Sequence, residues 1–197
     1  MEQKSDGLEV HGYISCPYAW RVRLAAAEKG LPADWIPCDV EDPDRRAAAH
    51  NPDEHSPLLY HEGVGSLLES EVIMQYLDEG FPGRALMPTG ARVRAELRLL
   101  AIHLQPLDVH TEPSRPLARR RSEPALHTLD AALGDRPFLH GEEPGLVDLM
   151  AWPFLANLAT RDLLRPREHA AVARSLERAI QRPSFRNTRP PWAERLR

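Results

Sequence analysis

The chain has 197 residues, 42% apolar and 27% charged, a globular balance rather than a disordered one. Its formal charge of −4 excludes a general electrostatic pull toward nucleic acid or an anionic membrane. Two cysteines, Cys16 and Cys38, make no disulfide framework, so a reducing, cytoplasmic setting is expected.

The first residues, Met1 to Asp6, are polar and carry no apolar core of a signal peptide. No apolar run approaches the ~18 residues that a membrane span needs. Alternation over Leu8–Tyr13 predicts a first strand. The turn Ile14-Ser15-Cys16 leads into a helix over Pro17–Lys29, with proline favoured at the first helical position and Gly30 as the stop. Residues 35–40 read as a second strand with Ile36, Cys38 and Val40 on one face; Pro37 cannot donate to a ladder and places it at a sheet edge. A short helix is expected over 43–50, before Asn51-Pro52. Residues 57–61 and 66–68 flank Glu62-Gly63-Val64-Gly65 and predict a hairpin. A further helix starts at Ser70, taken as its N-cap, with Val72, Ile73, Tyr76 and Leu77 on one face.

The order β-α-β-α-β-β-α within some 80 residues describes a thioredoxin-like domain with a mixed four-stranded sheet, assigned to residues 8–80. Beyond Gly83 only helical patterns follow: over 91–110 (Val93, Leu97, Leu100, Ile102, Leu104, interrupted near Pro106), then near 117–133, 147–160 and 167–181. Residues 89–197 are therefore read as an all-helical bundle. Most of the 19 prolines fall between these segments and cut the chain into short connected elements.

Cys16-Pro17-Tyr18-Ala19 sits where a dithiol oxidoreductase carries two cysteines, but Ala19 replaces the second. A sulfur at a helix start feels the positive end of the macrodipole and unpaired N–H groups, which favour thiolate over thiol. Without a partner it cannot close a disulfide, and a mixed disulfide there needs an external thiol for release. Cys38, on a strand face, reads as a small buried hydrophobe. Nine histidines offer no HExxH and no paired Cys/His spacing, so no metal site is read. His103 and His110, seven apart, and Arg119-Arg120-Arg121 read as solvated helix faces, and Trp152 and Phe154 as core.

From about Leu8 to Pro190 the chain resembles the cytosolic glutathione transferases, in particular their cysteine-type, omega-like branch. The resemblance rests on Ser15-Cys16-Pro17-Tyr18-Ala19 with Arg21 and Arg23 following, Asn51-Pro52 ahead of Ser56-Pro57, and Glu69-Ser70. It continues through Leu86-Met87-Pro88 and Phe138-Leu139-His140-Gly141 to Pro144-Gly145-Leu146-Val147-Asp148. It implies Cys16 as nucleophile and a glutathione site built from Tyr18, His55, Ser56, Pro57, Glu69 and Ser70. In that scheme Pro57 is a cis-proline, the Ser56 backbone pairs with the cysteinyl part of glutathione, and Ser70 and Glu69 receive the γ-glutamyl carboxylate and ammonium.

Three departures stand out. Glu54-His55 replaces the family's Gly-Lys, so the glycyl carboxylate is held less firmly, histidine being charged less often than lysine. Gly145 replaces Ser or Thr in the capping box before Asp148, a change worth a few tenths of a kcal/mol. Pro106, Pro113 and Pro116 are expected to reshape the pocket for the second substrate. The resemblance implies glutathione-dependent thiol transfer, deglutathionylation or dehydroascorbate-type reduction, on a small electrophilic or disulfide substrate, by a homodimer. Conjugation or isomerisation with Ser15 or Tyr18 as donor is the alternative, as is a non-catalytic, protein-binding scaffold like the stringent-starvation regulators.

Overall fold

A computed structural model describes residues 7–39, 49–109 and 111–196. The chain divides into two compact units, Met1–Ala85 with Asn187–Pro191, and Leu86–Arg186 with Trp192–Arg197. The helix expected over 43–50 falls largely outside the described residues, as does His110.

In the first unit β1 (Leu8–Gly12) is followed by α1 (Pro17–Lys29), β2 (Asp34–Pro37), β3 (Leu58–His61), β4 (Gly65–Leu67) and α2 (Ser70–Gly80). The sheet order is β2-β1-β3-β4, parallel between β1 and β2 (Val10 opposite Trp35) and antiparallel elsewhere (Val10 opposite Leu59, Tyr60 opposite Ser66). β2 lies at an edge, as a strand containing Pro37 must. It ends at Pro37, since Cys38 and Asp39 form a turn. α1 begins with Pro17 at its first position and stops at Gly30, whose φ of 67° is left-handed. Ala19, Trp20, Val22, Leu24, Ala25 and Ala26 are all buried.

α2 departs from its expected cap and face. Its N-cap is Glu69, and Ser70 is the first helical residue. The buried positions are then Ser70, Ile73, Met74 and Leu77, an i, i+3, i+4, i+7 stripe. That phase turns Val72 outward, where it is 52% exposed. Lys29, buried at the end of α1, donates to the Asp78 carbonyl (3.2 Å), Asp78 Oδ1 (3.4 Å) and the Arg84 carbonyl (3.3 Å), tying both helix ends together. Trp20 Nε1 donates to Thr188 Oγ1 at 3.0 Å, which engages the returning 187–191 segment.

The second unit holds α3 (Ala91–His103), a 3-10 turn (Gln105–Leu107), α4 (Arg115–Leu133), α5 (Leu146–Thr160), α6 (Ala170–Gln181), α7 (Pro183–Thr188) and a second 3-10 turn (Pro191–Ala193); the ends of α7 and of this turn lie in the returning segment of the first unit. Pro106 ends the helical run as its missing N–H requires. Leu97 and Leu104 are buried as their spacing predicts, but Ile102 is 61% exposed. α5 is buried almost all round and forms the centre of this unit, with Trp152 Nε1 donating to Ser175 Oγ at 3.4 Å. Asp130 Oδ1 accepts the N–H groups of Ala171 (2.8 Å) and Val172 (3.0 Å), which sets the start of α6 three residues later than the periodicity indicated. Among the described residues no helix is long and apolar enough to cross a membrane.

Asp148, 2% exposed, holds the start of α5. Its carboxylate accepts N–H from Gly145 (2.9 Å) and Leu139 (3.0 Å). Gly145 has a steric reason: a Cβ there would stand 3.0 Å from the Leu86 carbonyl, which already accepts the Leu146 N–H at 2.8 Å. Burial pushes the Asp148 carboxyl up to about 6, against the pull of those backbone bonds and Arg136. Between the ordinary 3.8 and about 6 the native protein keeps a proton that the unfolded chain has released. Its contribution to stability therefore falls as pH rises through that window, by about 3 kcal/mol in all, and is flat on either side. Urea unfolding of wild type and Asp148→Asn checks this. The wild-type advantage is expected to be larger at pH 4 than at pH 7, and an advantage that grows with pH would refute the dominance of burial.

Candidate functional site

The end of β1 leaves no room for a side chain. A Cβ on Gly12 would lie 2.8 Å from both Ala19 Cβ and Ser56 Oγ, closer than packed atoms allow. The bare backbone lets the strand end, α1 and the segment before β3 meet at one point. The Gly12 carbonyl accepts the Cys38 N–H (2.9 Å), and the Tyr13 N–H donates to Ser56 Oγ (2.9 Å). Buried Asn51 braces the segment from behind, donating from Nδ2 to the His55 carbonyl (2.8 Å) and accepting the His55 N–H at Oδ1 (2.9 Å). The Ser56–Pro57 peptide is cis, and β3 starts at the next residue.

Cys16 is the N-cap of α1, with extended φ and ψ of −72° and 119°, and its side chain does not cap the helix. The sulfur instead lies 3.7 Å from the Ser56 carbonyl, to which the thiol donates, and is partly accessible. Cys38 is partly accessible too, in the turn after β2 rather than buried on a strand face as expected; burial still pushes its thiol up, and Asn51 Nδ2 donates to its sulfur at 3.4 Å. That supports a structural role for Cys38.

Ser70 is buried at the start of α2, where its Oγ accepts from Arg21 Nε (2.9 Å) and Nη2 (2.5 Å). Arg21, itself 7% exposed, lies over the Tyr18 ring with 4.9 Å from Cζ to centroid. A hydroxyl has two acceptor lone pairs and one proton. With its oxygen accepting twice from Arg21, Ser70 keeps its proton to donate. Glu69, exposed just before it, is held at a φ of 64°, and its carbonyl accepts the Ile73 N–H at 2.9 Å. His55 is exposed, with its backbone fixed by Asn51 and its ring in solvent. Cys16 and Ser56 therefore meet directly, Tyr18 and Arg21 of α1 form a second group with Ser70 of α2, and His55 and Glu69 adjoin Ser56 and Ser70 in sequence.

Sequence reasoning quoted Arg21 and Asn51 only as landmarks and gave Gly12 no part. Arg21 falls five residues after Cys16 on a helix whose apolar face is otherwise buried, and a charge at that phase was the available signal. The sequence also gave no hint of the brace behind the site. Glu9 Oε2 lies 2.9 Å from His11 Nε2 and 2.7 Å from His50 Nδ1, and the His50 ring stacks on Tyr60 at 3.7 Å. Burial alone would raise the Glu9 carboxyl, but the bonds from His50 and His11 outweigh it and hold it below its ordinary value.

Residues 10–85 match the glutathione S-transferase N-terminal domain and residues 110–194 the C-terminal domain. A probable glutathione S-transferase of Oryza sativa subsp. japonica is 32% identical over 93% of this chain and 86% of that protein. The chain belongs to the glutathione S-transferase family. A stringent starvation protein A homolog of Coxiella burnetii is 28% identical over 86% of this chain and 85% of that protein. The maleylacetoacetate isomerase of Anaeromyxobacter dehalogenans, solved with glutathione bound in its active site, superposes with a TM-score of 0.75. It is 31% identical and covers 93% of this chain and 94% of that one.

The Arg21–Ser70 contact is testable by itself. Ser70→Ala removes an acceptor from a buried guanidinium and is expected to lower stability by about 1–3 kcal/mol. A double-mutant cycle with Arg21→Met, followed by urea unfolding, should return a coupling of about the same size. Additive single effects would show that the two side chains do not depend on each other.

Proposed function

We propose that this family member binds glutathione in its first unit and uses Cys16 as a nucleophile in glutathione-dependent thiol transfer. The observation that carries the reading is the Cys16 sulfur at the N-cap of α1, 3.7 Å from the Ser56 carbonyl beside the cis Pro57. An extended ligand pairing with the Ser56 backbone would have its central residue next to that sulfur. Ser70, with its proton left to donate, suits the γ-glutamyl carboxylate, and exposed Glu69 suits the ammonium. Tyr18, under the Arg21 guanidinium, lines the approach. His55 stands where the glycyl carboxylate would lie and offers a weaker partner than a lysine.

In the reaction the ionised Cys16 sulfur attacks the glutathionyl sulfur of a mixed disulfide. The substrate thiolate leaves, and a Cys16–glutathione disulfide remains. A glutathione thiolate then attacks that disulfide, restoring the Cys16 thiolate and releasing oxidised glutathione. One substrate disulfide is reduced and two glutathione moieties end as one disulfide, so electrons balance. Ala19 accounts for the external resolving thiol, since no second cysteine sits one turn into α1.

The similarity to an isomerase with glutathione bound favours a second reading, in which glutathione itself is activated for conjugation or isomerisation by Ser15 or Tyr18. The relative named for stringent starvation keeps a binding scaffold as a third. Intact mass after incubation with oxidised glutathione separates them. One adduct on wild type, reversed by free glutathione and absent from Cys16→Ser, is the expected result. Glutathione binding without an adduct, with activity lost in Tyr18→Phe, would favour the conjugating enzyme, and no binding at millimolar glutathione would favour the scaffold. His55→Lys should tighten glutathione by no more than about fivefold, as exposed ion pairs are weak; calorimetric titration reads that change directly.

A further inference from the structure

In the second unit, Glu123 and His127 lie one turn apart on α4, and His169 precedes α6. His169 is fully buried, and neither of its ring nitrogens has a hydrogen-bond partner. A buried imidazole without partners is uncommon, because each unsatisfied nitrogen carries its full desolvation penalty. His169 Nε2 lies 3.4 Å from Glu123 Oε1, and His127 Nε2 lies 3.5 Å from the same oxygen. The two rings meet edge to face, with centroids 5.1 Å apart. All three donor atoms lie within 4.8 Å of one another.

These separations fit one kind of guest. A metal–ligand bond of about 2.1 Å with tetrahedral angles puts neighbouring donor atoms about 3.4 Å apart. The Glu123 oxygen stands at that spacing from both imidazole nitrogens, too far for good hydrogen bonds and right for a shared cation. The Glu9 cluster in the first unit is the contrast, since 2.7 and 2.9 Å are direct hydrogen-bond lengths that leave no room for an ion. We infer that Glu123, His127 and His169 form a binding site for a first-row divalent transition metal, Zn²⁺ foremost, contrary to the absence of metal that ligand spacing along the sequence implied.

Two imidazoles and one carboxylate select against Mg²⁺ and Ca²⁺, which require mostly oxygen donors. The site is held ready by its surroundings. Asp130, on α4, pins the first N–H groups of α6 and so the position of His169. Arg165 donates to both Glu123 oxygens, at 3.1 and 3.3 Å, and orients the carboxylate as an outer partner. With Arg119 3.9 Å away, these guanidiniums also weaken cation affinity relative to a site without them. Glu123 also lines a groove of about 700 Å³ bounded by Arg115, Arg119, Arg165 and Glu168. Three protein ligands leave a fourth position for water or an anion.

Metal-stripped full-length protein, titrated with Zn²⁺ against a chromogenic chelator and separately with Co²⁺ by visible absorption, tests this. One equivalent is expected, with a tetrahedral Co²⁺ spectrum lacking the sulfur-to-metal band that Cys16 or Cys38 would produce. His127→Ala removes an exposed ligand without disturbing the core and should weaken Zn²⁺ at least tenfold, while His50→Ala, in the other cluster, should leave it unchanged. Absence of stoichiometric binding, equal affinity in His127→Ala, or a loss confined to His50→Ala would each overturn the assignment. Glutathione binding is read in the same samples, so failure of the metal site leaves the first unit's function standing.

Discussion

The first unit depends on a place where nothing but a hydrogen fits. β1 ends at Gly12 against Ala19 of α1 and Ser56 of the segment leading to β3, and a single added carbon would collide with both at 2.8 Å. Because the three pieces close on that point, the N-cap sulfur of Cys16 comes within reach of the Ser56 carbonyl. Asn51 and the Glu9–His50 contact then hold the segment from its other side. Steric exclusion at one backbone position and hydrogen bonding around it define the geometry in which the sulfur is presented.

Charge burial organises both units in a comparable way. Lys29, Arg21 and Asp148 are all nearly excluded from water, and each joins an element end to another part of its unit through two or more hydrogen bonds. Satisfying a buried charge requires several fixed partners at once, so such residues specify where helices start and stop more strictly than apolar contacts do. Apolar burial supplies the larger part of the driving force, through Trp20 and Leu24 in one unit and through α5 in the other.

Local chemistry was legible in the sequence, and spatial chemistry was not. Pro17 and Gly30 bracket α1 through their own backbone preferences, and Pro37 marks an edge strand by its missing N–H, so those features needed no tertiary information. Cys16 was identifiable because strand, turn and N1 proline are contiguous. Ser70 was misassigned as a cap because its real partner, Arg21, lies 49 residues away. With the cap at Glu69, the buried stripe runs through Ser70, Ile73, Met74 and Leu77, and Val72 faces outward. His169 could not be linked to Glu123 from spacing, since 46 residues separate them. Only the pair Glu123 and His127, four apart on one helix face, was open to view.

A hydroxyl whose oxygen is held by a cation has a direction. Because Ser70 Oγ already accepts twice from a buried guanidinium, its proton is directed away from Arg21, and the positive charge behind it favours an acceptor over a second cation. A neutral side chain thereby carries the sign of the arginine behind it to the start of α2. The polarity of this helix start is set by how a buried arginine uses its hydrogens.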